Sequence, residues 1–327
     1  MQTLLLSGDD VAENAPMATL IPAIEDAFAA YEHDDAQMPP KSYIELPQYN
    51  GDFRSMPAYL EAGDWDAAGV KWVNVHPDNA ERDLPTVMGT MIYSDPETAF
   101  PLAIMDGTEL TMQRTGAAAA VATDHLAVEG ARSLGIVGAG VQAYTQLEAI
   151  AEIRPIEEVV VSDLDEARVE AFVSAFADEF EVRGGSIAEA AACDVLSTVT
   201  PVREPIVSLS DLGPHTHVNA MGADAAGKQE LEAAVLREGM LVIDDYEQTT
   251  HSGEINVPWS AGEIDDSDID AEIGQIVVGD REGRTEGEGI SVFDSTGLAI
   301  QDVAAAHVVY EHADENDNGT PFDLLGV

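Results

Sequence analysis

Lys71 interrupts an otherwise apolar run, Gly69-Val70-Lys71-Trp72-Val73. An unpaired ammonium on a buried strand is costly, so its side chain is expected to face an anion. A substrate carboxylate or carbonyl would serve, and so would a structural carboxylate partner. Lys228 follows Gly222-Ala223-Asp224 by four residues, at a spacing that places it near the start of a helix. A cation there opposes the helix dipole, so a local anion must compensate. Lys41, after Pro39-Pro40, is the third lysine and the last, for the 327 residues hold 14 Lys plus Arg against 62 Asp plus Glu. In a chain so depleted of lysine, each one left marks a place where an ammonium group is wanted. Arg114 opens Arg114-Thr115-Gly116-Ala117-Ala118, read as the start of a small-residue helix. There a guanidinium adds charge-assisted bonds to phosphate or carboxylate, unless it is only a surface arginine.

A glycine-rich turn supplies different chemistry. Gly138-Ala139-Gly140-Val141-Gln142-Ala143 follows the apolar run Ser133–Val137 and opens a helical one. The first glycine suits a tight turn, the second lets the backbone approach a pyrophosphate, and Ala143 permits close helix–strand packing. Asp163 lies 23 residues after Gly140, at the end of the next strand-like run. A carboxylate there accepts from adenosine ribose hydroxyls and repels a 2′-phosphate, which favours NAD over NADP, although Arg168 follows one turn later. A simple helix-start acid is the plainer alternative for Asp163. His215 and His217 alternate, but no third ligand accompanies them, so no metal is expected.

These residues need elements to position them. Ser133–Val137, Glu158–Ser162, Asp194–Val199, His217–Met221, Met240–Asp244 and Ile290–Phe293 read as buried strands. Val141–Ile153 and the stretch from Glu166 to about Phe180 read as helices between them. Strands alternating with helices predict an α/β fold, a Rossmann-type doubly wound parallel sheet. The first 110 residues or so are richer in Pro, Met and aromatics, with strand-like pieces at Ser42–Leu46 and Gly69–Val75. They predict a smaller α+β domain, to which an apolar helix from Leu298 to His312 returns. The expected division is 1–113 with 298–327, and 114–297.

The net charge of -48 sets the remaining bounds. Such a surface repels itself in dilute buffer, and at molar salt the Debye length of about 3 Å screens that repulsion. A cytoplasmic protein of a cell with high internal salt is the economical reading. Nucleic acid is disfavoured as a partner, because phosphate backbones are bound by clustered Lys and Arg. No apolar run reaches the 18 or so residues of a membrane span. The opening MQTLLLSGDD lacks the basic and apolar regions of a signal peptide. Cys193 is the single cysteine, so no intrachain disulfide can form.

Several segments together resemble the ornithine cyclodeaminase/mu-crystallin family: MPPKSYIEL, RSMPAYL, GVKWVNVHPDN, LPTVMGTMIYSDPETAFPLAIMDGTELTMQRTGAAAA, GIVGAGVQA, HVNAMGADAAGKQEL and FDSTGLAIQD. They occur in the family's order from about residue 38 to 302, and within the family the chain looks most similar to archaeal NAD-dependent alanine dehydrogenases. The resemblance implies a Rossmann domain paired with a substrate and dimerisation domain, a homodimer, bound NAD (NADP being the lesser candidate) and a small amino-acid or imine substrate. It makes Lys71 and Asp224 the catalytic pair. Lys41, Arg54, Met56 and Arg114 become substrate contacts, and Thr115, Gly138, Gly140, Val141, Gln142, Asp163, Thr200, Lys228 and Ser295 cofactor contacts. Lys41 stands where cyclodeaminases carry arginine, keeping the charge without the planar fork. Arg54 replaces a glutamate suited to a second amino group; it would repel an amine and clamp a carboxylate, so alanine fits better than ornithine. The expected activity is oxidative deamination of L-alanine to pyruvate and ammonia. The alternatives are an ornithine cyclodeaminase or imine reductase, and a crystallin-like protein that binds a nucleotide or small ligand without turnover.

Overall fold

The computed structural model describes residues 2–82, 84–285, 287 and 289–326, which group into two units: residues up to Arg114 with those from Leu298 onward, and Thr115–Gly297. Strands are numbered in chain order. The first unit holds β1 (Thr3–Leu6), β2 (Ala36–Gln37), β3 (Ser42–Leu46), β4 (Gly51–Ala62), β5 (Trp65–Val75), β6 (Val87–Ser94), β7 (Pro101–Asp106) and β16 (Thr320–Phe322). They form one mixed sheet in the order β16-β1-β7-β6-β5-β4-β2, with β3 also paired to β4. The long β4–β5 hairpin sets the register on which the site depends. Met56 lies opposite Lys71 and Arg54 opposite Val73, while Lys71 faces Met91 across β6. Side chains alternate across a sheet, so Arg54, Met56, Lys71 and Met91 share one face. That face is covered by the helix Ala299–Glu315, which packs on β4, β5, β6 and the helix Met17–Glu32. Ile300, Val303 and Val309 are fully buried there, each contributing about 1.5–3 kcal/mol of apolar burial.

The second unit is a parallel sheet of β8 (Ser133–Val137), β9 (Glu158–Ser162), β10 (Glu181–Gly184), β11 (Val195–Thr198), β12 (His217–Ala220), β13 (Met240–Ile243), β14 (Ala271–Glu272) and β15 (Ser291–Asp294). Its order is β10-β9-β8-β11-β12-β15-β13-β14. The central strands are buried on both faces, and β8, β9 and β13 are accordingly mostly apolar. Leu134, Ile136, Val159 and Val161 enter one core with Leu147 and Ile150 of the helix Val141–Ile153 and Phe172 of the helix Glu166–Phe176. Val137 and Val160 enter the other, with Ala190, Ala191, Val235 and Leu236 from helices on the opposite side. The fold comprises a doubly wound α/β sheet and an α+β unit. The strand order reverses between β8 and β11, and in such sheets the ligand crevice opens at the carboxyl ends there. Among the described residues no helix is long and apolar enough to cross a membrane.

Two local expectations are corrected. Arg114 does not begin a helix: the helix runs Gly107–Leu126, placing Arg114 two turns inside it. Its start is fixed by Asp106, whose carboxylate accepts the N–H groups of Thr108 and Glu109 at 2.8 and 2.7 Å. Lys228 does not lie at a helix start either. The chain turns there, with Gly227 at φ +80° and the Lys228 N–H bonded to Ala225 O at 3.2 Å. Asn256 holds that turn through the Gly227 N–H and the Lys228 carbonyl, and the next helix begins only at Ala233.

Candidate functional site

In the first unit, two cations converge on one buried carboxylate. Lys71 Nζ lies 2.6 Å and Arg114 Nε 3.0 Å from the same oxygen, Asp302 Oδ1. Lys71 also donates to Thr111 Oγ1 at 3.1 Å, and Thr111 passes its own proton to Gly107 O at 2.6 Å. Arg114 donates further to Gln301 Oε1 at 3.1 Å, and that oxygen also takes the Leu298 N–H that opens the covering helix. Asp302 therefore sits in a helical first turn, where the dipole favours an anion. Its other oxygen, Oδ2, is buried without a hydrogen-bond partner among the described residues. Lys71 is 1% exposed. Burial pushes its amine down to about 7; Asp302 pulls against that shift, while the charges of Arg114 and Lys41 reinforce it.

Arg54 is buried on the same sheet face as Lys71. Its Nε and Nη2 grip the Asp52 carboxylate at 3.1–3.3 Å, and its guanidinium lies 5.5 Å from the centre of the Tyr43 ring. The fork expected to meet a substrate thus already holds a carboxylate of its own strand. Met56, directly across from Lys71, is 4% exposed and walls the same face.

In the second unit the glycine turn lies at the strand-order reversal. Gly138 has φ +104°, and a Cβ there would come within 3.0 Å of Val199 O and 3.1 Å of Thr200 Cγ2, at the end of β11. Gly140 is the helix N-cap, no side chain caps the helix there, and open space surrounds the position a Cβ would take. Asp163 Oδ2 accepts the Ala139 N–H at 2.7 Å, and Oδ1 the Asp165 N–H at 2.8 Å. Each oxygen keeps a lone pair for another donor. Gln142 Oε1 is buried without a partner among the described residues, and Val141 is largely exposed. Thr115 is buried, its carbonyl bonded to Gln146 Nε2 at 3.3 Å. Open space at Gly140 and an uncapped helix end together suit a pyrophosphate.

Four fully or almost fully buried carboxylates tie together the loops at this end of the sheet; Glu230 and Asp294 lie within the segments HVNAMGADAAGKQEL and FDSTGLAIQD, but their burial has no signal in the sequence. Glu230 accepts from Thr198 Oγ1, Thr200 N, Thr200 Oγ1 and Gly222 N at 2.6–3.0 Å, linking two loops. Glu254 takes the N–H groups of Glu230 and Leu231, and Asp294 those of Glu254 and Ile255. Asp244 receives Ser295 Oγ at 3.0 Å and the Thr296 and Gly297 N–H groups. Burial raises Glu230, Glu254 and Asp294 above the usual carboxylate range, Glu254 being raised further by Glu230. Two residues beyond Gly222, Asp224 is bonded to Lys228, the local anion which that lysine required. His217 is buried against Ser291 and Asn219, and burial pushes it down to about 3. Arg168 pairs with Asp165 at 3.6 Å.

The structure thus gathers Lys71, Arg114, Arg54 and Met56 in one unit, and Gly138, Thr200 and Asp163 around one turn in the other. The sequence reading missed Asp302, Gln301 and Thr111, although Gln301 and Asp302 close the segment FDSTGLAIQD. A model of the ornithine cyclodeaminase/mu-crystallin family matches residues 1–317. The chain belongs to this family. Within the family, it is 46% identical to alanine dehydrogenase of Archaeoglobus fulgidus, over 100% of both chains. It is similar to the solved structure of an archaeal alanine dehydrogenase dimer with bound NAD, at TM-score 0.94 and 45% identity, covering 99% of this chain and 100% of that one. It is also similar to the Delta(1)-pyrroline-2-carboxylate reductase of Thermococcus litoralis, solved with NADH and L-proline, at TM-score 0.93 and 37% identity, over 97% and 99% of the two chains.

Proposed function

We propose that the protein is an NAD-dependent dehydrogenase of short amino acids, with L-alanine as its substrate. The observation that carries this reading is the buried pair Lys71 and Arg114 on one oxygen of Asp302, with Arg54 on the same sheet face as Lys71. Two cations against one carboxylate leave net positive charge in a chain of charge -48, a local field suited to an anion. Lys71 and Arg54 hold the substrate carboxylate, with Lys41 and Arg114 adding charge. Met56 packs against a short side chain and limits its length.

Gly138 and Gly140 would admit the pyrophosphate of the dinucleotide, the N–H groups of Val141 and Gln142 at the helix start would donate to it, and Asp163 would accept from the ribose. Thr115, Thr200, Lys228 and Ser295 complete the contacts to the dinucleotide. When bound, NAD would supply a hydride acceptor for the substrate Cα, the oxidation that brings the amine to the imine level. Asp224, oriented by Lys228, removes a proton from the water that adds to the imine carbon. Loss of ammonia then gives pyruvate. In sum, alanine, NAD⁺ and water become pyruvate, ammonium, NADH and a proton. The test is the purified protein with L-alanine and an amino-acid panel, with NADH read by absorbance and ammonia assayed in parallel. Absence of NADH with every member of the panel would sink the reading, and ammonia without net NADH would indicate a cyclodeaminase.

A second reading is favoured by the similarity to the Thermococcus reductase. A cyclic imine that bears a carboxylate presents the same pair of groups as the imine of alanine. The two separate in the reductive direction, where NADH is consumed either with pyruvate and ammonium or with Delta(1)-pyrroline-2-carboxylate. We also propose a homodimer formed through the uncovered face of the first sheet. Trp72 is 42% and Ile44 52% exposed there, and Phe53 stacks on Trp72 at 5.1 Å. Trp72→Glu is expected to halve the mass measured by light scattering; an unchanged mass refutes the interface.

A further inference from the structure

We propose that Asp302 is the positioning residue of Lys71, holding the amine in place through Oδ1 and setting the protonation state in which it meets substrate. The inference deepens the function proposed above and rests on it only for its consequence in catalysis. The groups around the Lys71 amine come from three elements. Asp302 lies on the covering helix, Arg114 and Thr111 on the helix Gly107–Leu126, and Lys41 in the segment before β3. Among them, Asp302 is the sole anion, so it alone opposes the two cationic neighbours and the loss of water. Without it, no anion among these groups would favour a charged Lys71.

The sharing of one oxygen matters as much as the charge. Two cations could each take one carboxylate oxygen, yet here Lys71 and Arg114 share Oδ1 and leave Oδ2 buried without a hydrogen-bond partner among the described residues. Such an orphaned acceptor is costly and needs a reason beyond stability. The arrangement fixes the amine at one point, because Thr111 and Asp302 take two of its three hydrogens when it is charged. One N–H then remains for the substrate. Gln301, on Arg114 and on the backbone that opens the helix, keeps Asp302 from following either cation.

The chain's composition gives a direct readout. With ¹³C-labelled lysine, a protein of three lysines gives three ε-CH₂ signals, and Lys71→Met identifies the one that matters. In the intact protein with NAD, that signal is followed against pH beside the pH profile of alanine oxidation, in wild type and Asp302→Asn. Removal of the charge should move the Lys71 midpoint down by about 1–3 units, with the corresponding limb of the activity profile moving in parallel. A midpoint that stays within about 0.3 units of wild type would overturn the proposal, since an opposite charge at this range normally counts for more. A midpoint that moves while the activity profile does not would support the tuning and sink the catalytic role of Lys71. Should Asp302→Asn not fold by circular dichroism, Asp302→Ser takes its place with the same two outcomes, being smaller and able to lodge a water.

Discussion

If the Lys71 ammonium anchors the substrate carboxylate, anion binding must weaken as that ammonium loses its proton, and the structure says where. Burial pushes the Lys71 amine down to about 7, outweighing the pull of Asp302. A carboxylate placed against it would raise that midpoint by about 1–3 units. Between the free and bound midpoints each pH unit costs about 1.36 kcal/mol, a tenfold loss of affinity. Total weakening of about 10- to 1000-fold is therefore expected, beginning just above pH 7. The assay is pyruvate binding to the NADH complex, followed by nucleotide fluorescence from pH 6 to 9. Pyruvate suits the purpose because its carboxylate stays ionised throughout and it has no amine to titrate. Ionic strength must be held constant, since a surface of charge -48 makes any anion's affinity depend on salt. Lys71→Met is the control: its affinity should be low and almost flat with pH, because the guanidinium of Arg54 does not titrate. A flat wild-type profile, or affinity that rises with pH, would refute the assignment of Lys71 as a charged anchor.

Gly140→Val tests the dinucleotide turn. Nothing lies within 4 Å of the added Cβ, and Gly140 has an ordinary φ of -79°, so the fold should hold while NAD affinity falls about tenfold or more; unchanged affinity by fluorescence titration argues against pyrophosphate there. Glu254→Gln tests the buried carboxylates. Burial raises Glu254 above its usual 4.5, so the contribution of this group to stability is fully present below that pH and is lost as pH rises through the folded value. The variant should melt higher at pH 8, with a gain that disappears towards pH 4; a gain independent of pH would mean that charge is not the cause. Alanine oxidation should respond to salt chiefly through kcat/KM for NAD, which should rise as KCl goes from 0.1 to 1 M and the Debye length falls from about 10 to 3 Å. A kcat/KM for NAD that falls over that range would count against long-range repulsion of the anionic dinucleotide.

The parallel sheet was legible because its strands are buried on both sides. Ser133–Val137 and Glu158–Ser162 fold over the residues that their apolar runs mark, and so does the helix Val141–Ile153 behind the glycine turn. The β4–β5 hairpin was less so. Its inner face carries Arg54 and Lys71 among apolar residues, and its outer face exposes Trp72, so hydrophobicity does not alternate cleanly along it. The two corrected helix starts share a local cause. The alanine run after Arg114 reads as a beginning, but the capping acid Asp106 stands eight residues earlier. At Lys228, a positive-φ glycine and a distant asparagine hold a turn that no local pattern announces.

The same asymmetry explains which half of the site could be read. Lysine is so rare here that each one stands out, and each proves to be engaged: Lys71 with Asp302, Lys228 with Asp224, and Lys41 within reach of Lys71's charge. Acidic residues number 62, so rarity does not separate Asp302 from dozens of solvated carboxylates, although that aspartate closes the segment FDSTGLAIQD. Only the fold does, by carrying it 231 residues along the chain to Lys71 and burying it completely. Burial reverses the meaning of the charge. On the surface a carboxylate adds to a general repulsion that salt screens, whereas at 2.6 Å from a desolvated amine it determines whether that amine is charged at all. Rarity thus exposes the cations, while the acid that governs them becomes visible only when the helix Ala299–Glu315 is laid across β4 and β5.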